Sequence, residues 1–91
     1  MKRRFSAQAD HDLDAIKSYI AQDNQAAAEK TVTRILQSIL YLQDYPRLGR
    51  PGIVPDTREL GILGLPYKAV YRIEGDTILI VTIVHLSRMY P

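Results

Sequence analysis

Thr77-Ile78-Leu79-Ile80-Val81-Thr82-Ile83-Val84-His85 is the stretch that decides how this chain is built. From Ile78 to Val84 the residues are β-branched or aliphatic, so both alternating faces of a strand here are apolar. Such a strand belongs in the middle of a sheet and needs cover on both sides. Just before it, Glu74-Gly75-Asp76 is a hairpin turn signal, which pairs Thr77–His85 antiparallel with a strand over Tyr67–Ile73. Thr57-Arg58-Glu59-Leu60 starts another strand, and the sheet is mostly antiparallel.

Working back from the sheet, the period changes from two to that of a helix. Ala28, Val32, Ile35, Leu36 and Ile39 mark one face of a long helix, with Leu40 and Leu42 widening it and Tyr45-Pro46 ending it. Earlier, Ala9, Leu13, Ile16 and Ile20 form the stripe of a first helix from Ala7, with Ser6 as its N-cap. Asp23-Asn24 stops one helix and caps the next at Gln25. So short a link makes an antiparallel hairpin whose two stripes face the same side, against the sheet. Lys2-Arg3-Arg4-Phe5-Ser6 fits a brief strand at a sheet edge, where charges discourage further pairing. Pro46 to Asp56, rich in proline and glycine, is an ordered loop across the surface. The expected fold is α+β: an N-terminal strand, then a helix hairpin packed on a mostly antiparallel sheet, in the order β-α-α-β-β-β.

The hairpin of helices covers only one face of that sheet. Leu79, Val81 and Ile83 on one side of the last strand, or Ile78 and Ile80 on the other, therefore need a second cover. Either the Pro46–Asp56 loop folds back over them, or a partner segment or second copy docks there.

Composition narrows the class. Ninety-one residues suffice for a single domain, residues 1–91, and not for two cores. With hydrophobic residues at 46% and charged residues at 24%, disorder and low-complexity classes are excluded. There is no cysteine, hence no disulfide framework, thiolate nucleophile or cysteine-based zinc site. A net charge of +2 is too weak a field to announce nucleic-acid binding. No apolar run reaches membrane-spanning length and no signal-peptide core follows the basic start, so a soluble cytoplasmic protein is expected.

Arg58, Glu59, Arg72, His85 and Arg88 are the candidates for chemistry. Neighbouring strands lie about 5 Å apart, and guanidinium groups with one imidazole suit phosphate recognition and proton transfer. Alternation keeps all five from sharing one site, since Arg58 and Glu59 face opposite sides. The plainer alternatives are a cross-strand ion pair for Arg72 and a strand-end histidine bonded to backbone for His85. Tyr67 and Tyr71 fit packing better than base stacking. Asp10-His11-Asp12 with Asp14 is not a metal site, because the side chains diverge around the helix and acids in its N-terminal half suit the dipole. No cofactor is expected. Gly49-Arg50-Pro51-Gly52 is turn chemistry, since no helix follows to complete a phosphate loop.

The element order, with Ala9-x-x-Asp12-Leu13-x-x-Ile16-x-x-Tyr19-Ile20, Pro46-x-x-Gly49-Arg50, Thr57-Arg58-Glu59-Leu60, Tyr71-Arg72-Ile73 and His85-x-x-Arg88-x-Tyr90-Pro91, resembles the RelE/ParE toxins of type II toxin-antitoxin systems. The resemblance spans nearly the whole chain. It implies a toxin neutralised within a hetero-oligomer by an antitoxin encoded beside it, seated on the uncovered face at Leu79, Val81 and Ile83. RelE-like members cut messenger RNA on the ribosome with basic residues, often lysines, and a C-terminal tyrosine or histidine. ParE-like members share the fold and block DNA gyrase by binding. Here Arg50 to Leu60 contains no lysine and Lys68 is the only lysine after Lys30, which looks more like ParE. On that reading Arg58, Arg72, Arg88 and Tyr90 contact the target. On the RelE alternative His85, Arg72 and Tyr90 are catalytic and the partners are ribosome and messenger RNA.

Overall fold

The computed structural model describes residues 1–88. In chain order the elements are β1 (Lys2–Phe5), α1 (Ala7–Ala21), α2 (Gln25–Asp44), β2 (Arg50–Pro51), β3 (Arg58–Gly61), β4 (Tyr67–Glu74) and β5 (Thr77–His85). Ser6 caps α1 by accepting from the Ala9 amide at 2.9 Å, and Asn24 caps α2 by accepting from Ala27 at 3.0 Å. Each cap satisfies an amide with no partner inside its helix. Between β4 and β5 the loop is only Gly75-Asp76, because Glu74 and Thr77 already pair; Gly75 takes φ 59°, a conformation that suits glycine at the first central position.

The strands form one sheet in the order β1-β5-β4-β3-β2. β1 runs parallel to β5 and every other neighbour is antiparallel, so β5 lies inside the sheet along β1 as its sequence requires. The added element is β2, a two-residue strand inside the expected loop. It pairs Arg50 with Glu59 and Pro51 with Arg58, and two residues are too few to show any period. Leu40 also departs from expectation, being exposed beside the buried α2 face of Ile35, Ile39 and Leu42.

The larger correction concerns β5. Val70 pairs with Thr82 but Tyr71 pairs with Ile80, which leaves Val81 without an opposite residue. This bulge reverses the alternation. Ile83 therefore joins Ile78 and Ile80 in the helix-side core, beside Ala69 and Tyr71, and does not share a face with Leu79. Of the expected seat, Leu79 and Val81 are half-buried and Ile83 is 3% exposed.

The loop covers only part of the second face. The Ile53 amide reaches Glu59 Oε2 at 3.4 Å, while Lys68 Nζ lies 3.0 Å from Glu59 Oε1, and Val70 in the same rows is fully buried. The Lys68 hydrogen bond, foremost, holds the Glu59 carboxyl below its ordinary value of 4.5, against the opposing effect of burial. A depressed folded pKa contributes stability above the unfolded value and loses it as pH falls through the folded one. Lys68→Ala is accordingly expected to cost about 2–3 kcal/mol at neutral pH. Urea melts at pH 7 and pH 3 check this: the deficit should shrink at the acid pH, and a deficit independent of pH would show that lost packing, not the ion pair, carries the effect.

Candidate functional site

The C-terminal end of β5 meets α1 in an open groove of about 510 Å³, lined among others by Asp12, Ile16, Tyr19, Tyr67, His85 and Arg88. The Tyr67 and His85 rings, paired across β4 and β5, meet edge to face with centroids 5.3 Å apart. Past the strand the chain is pinned by Leu86 N donating to Pro66 O at 2.8 Å and Arg88 N donating to His85 O at 3.0 Å. His85 Nδ1 accepts from the Ser87 amide at 3.0 Å and lies 2.8 Å from the Ser87 hydroxyl. In this arrangement Nδ1 is an acceptor, so a neutral ring carries its proton on Nε2.

Asp12 forms the groove's other wall. Its Oδ2 accepts from the Ile83 amide at 2.9 Å and from the Thr82 hydroxyl. β1 ends at Phe5, opposite Ile80, so beyond that point β5 has no strand on this side and a helix carboxylate takes the strand's place. Sequence reasoning treated Asp12 as an acid in the N-terminal half of a helix. Its partners stand 70 and 71 residues away, and no local signal names them.

The other candidates lie elsewhere. Arg58 pairs with Tyr71 and so sits on the helix side at the far edge, where its Nη1 donates to Gly49 O at 2.7 Å and holds the loop. Arg72 occupies the opposite, open face, 3.1 Å from Glu74. The partner of Arg72 on β5 is Leu79, six residues before His85, or about 20 Å along a strand. The expected sets Arg58–Arg72–Arg88 and His85–Arg72 thus do not converge, and Tyr90, named in both, lies outside the described residues. Among the described residues no group of three His, Cys, Asp or Glu side chains is placed to hold a metal ion.

Over residues 3–90 the chain matches the family model described as the ParE toxin of type II toxin-antitoxin system, parDE. It belongs to the ParE toxin family. A Sinorhizobium fredii protein named "Putative toxin Y4kP" is 39% identical over 88 residues, covering 97% of this chain and 91% of that one. Among solved structures, the chromosomal ParDE system from P. aeruginosa superposes with a TM-score of 0.84 at 32% identity, covering 93% of this chain and 95% of that chain. The RelBE2 toxin-antitoxin complex from Mycobacterium tuberculosis gives 0.65 at 21% identity, covering 92% and 95%, and shows a shared fold. In this ParE-family toxin the groove at His85 is therefore a recognition surface by its chemistry: an imidazole, two tyrosines and a cation around an apolar floor, with its one carboxylate already committed to β5.

Proposed function

We propose that this ParE-family toxin inhibits DNA gyrase by binding it, without making or breaking bonds, and that an antitoxin encoded beside it neutralises it in the cytoplasm. The observation that carries this reading is the dispersal of Arg58, Arg72 and His85 over an edge, an open face and a groove. A phosphodiesterase needs its acid or base and its charge-stabilising groups around one scissile bond. A binding inhibitor needs only a surface, and the groove with Tyr19, Tyr67, His85 and Arg88 offers aromatic and arginine anchors of the kind that dominate protein interfaces. The ParDE and RelBE2 relatives, whose names pair toxin with antitoxin, support an antitoxin as the second partner.

Induction of the toxin alone, with DNA, RNA and protein synthesis pulse-labelled in parallel, tests this. DNA synthesis should fall first while translation continues, and purified toxin should inhibit supercoiling by gyrase. His85→Ala should retain most of the toxicity, since removing a general acid or base costs about 10²–10⁴-fold whereas removing one contact costs far less. Prompt loss of protein synthesis, abolished by His85→Ala, would instead establish a ribosome-dependent endoribonuclease.

A further inference from the structure

The charges of this chain are sorted by layer. Residues 7–44, the helix hairpin, hold six acidic and three basic side chains, whereas the remainder holds four acidic and nine basic ones. A helix layer of formal charge −3 is thus backed by sheet and loops of +5, a polarity that the overall +2 conceals. Such sorting creates a field with a direction, positive on the side away from the helices.

On that side the strand register builds a defined row. Arg4 pairs with Leu79 across β1 and β5, and Leu79 pairs with Arg72 across β5 and β4, so a half-buried leucine lies between two arginines. Their backbones are roughly 10 Å apart, two strand spacings. Glu74 bridges them, with Oε1 3.6 Å from Arg4 and Oε2 3.1 Å from Arg72. One carboxylate of the chain itself therefore holds two guanidinium groups that would otherwise be free. These pairs are solvent-exposed, and exposed pairs contribute about 0–1 kcal/mol, so exchanging the carboxylate for another is easy.

We propose that this open face is the seat of an acidic segment of the antitoxin, whose carboxylates replace Glu74 between Arg4 and Arg72 while its apolar side chains cover Leu79. The proposal rests on the functional reading above and assigns it a surface and a partner chemistry. Leu79 calls for apolar cover, and the arginine pair already shows a carboxylate in place. A nucleic acid fits less well. The outward positions of β1, β4 and β5 carry no aromatic side chain on which a base could stack, and Glu74 repels phosphate. A second copy of this chain fits less well still, because two positive faces repel.

The test is binding of purified antitoxin from the adjacent reading frame to the folded toxin and its variants, at low and at physiological salt. Arg4→Glu with Arg72→Glu should weaken binding by about 100-fold and flatten its salt dependence. Glu74→Gln, which leaves the arginines unoccupied, should tighten binding by roughly 3–10-fold at low salt. Lys30→Glu on the helix layer should change it less than about twofold. Circular dichroism and thermal melts verify that each variant folds. If both sheet-face variants bind like the wild type, the antitoxin seat is elsewhere and the functional reading survives. If the wild type itself does not bind, that reading fails and takes this proposal with it. If the arginine reversal abolishes capture of a short single-stranded RNA and leaves antitoxin affinity unchanged, the face is a nucleic-acid surface and the proposal is wrong.

Discussion

Gly49→Ala is expected to destabilise this toxin by about 3 kcal/mol, lowering its melting temperature by roughly 10–20 °C. A Cβ at this position would lie 2.7 Å from both Cε1 and the hydroxyl oxygen of Tyr71 and 2.9 Å from the Glu59 carbonyl oxygen. Neither neighbour can yield. Tyr71 is fully buried between β5 and β3, and its hydroxyl donates to Pro46 O at 2.7 Å while accepting from the Gly49 amide at 2.9 Å. Burial foremost pushes the phenol's pKa upward, which keeps it a donor at physiological pH. The Glu59 carbonyl belongs to β3, whose position is set by pairing with β4 and β2. Tyr71→Phe removes only the hydroxyl and should cost about 1–3 kcal/mol through the two backbone groups it leaves unpaired. Because the two changes meet at one contact, the double variant should cost less than the sum of the singles. Urea melts of the three variants check this, and a Gly49→Ala protein as stable as the wild type would mean that the loop can lift off Tyr71 freely.

That knot illustrates what the sequence discloses and what it withholds. The period of α1, the caps at Ser6 and Asn24, the turn at Gly75 and the two-faced apolarity of β5 are local properties, and each is realised where the residues place it. The bulge at Val81 is different. Val81-Thr82-Ile83-Val84 carries no glycine or proline to announce an interruption, and the register shift arises from how β5 meets β4. From that one shift follow the burial of Ile83 and the reduction of the expected apolar seat to Leu79 and Val81. The arginines divide for a related reason. Arg58 pairs with Tyr71, so the next residue, Arg72, must face the other way, a conclusion available only once the register of β3 and β4 is known. The row Arg4–Leu79–Arg72 likewise needs the parallel pairing of β1 and β5, which joins residues at opposite ends of the chain.

Asp12→Ala should cost about 2–3 kcal/mol, and it should do so by opening an edge and not by emptying a cavity. Asp12 Oδ2 receives the Ile83 amide and the Thr82 hydroxyl, from residues only 3% and 6% exposed. Without the carboxylate both donors lose their partner in a place that water reaches poorly, where an unmet hydrogen bond costs most. Asp12→Asn keeps an acceptor oxygen in the same position and should recover about half of the loss. Amide hydrogen exchange separates this account from general destabilisation. In Asp12→Ala the Ile83 amide should exchange faster by more than the change in global stability explains, while amides of β4 slow or quicken only with that global change. An unpaired stretch of β5 is also a template for strand addition, so the variant should self-associate at concentrations where the wild type does not. If Asp12→Ala melts like the wild type with the Ile83 amide still protected, another group must cap the strand. The wall between α1 and β5 would then owe its position to Ile16 and Ile83 packing against each other, and the groove at His85 would survive the loss of the carboxylate.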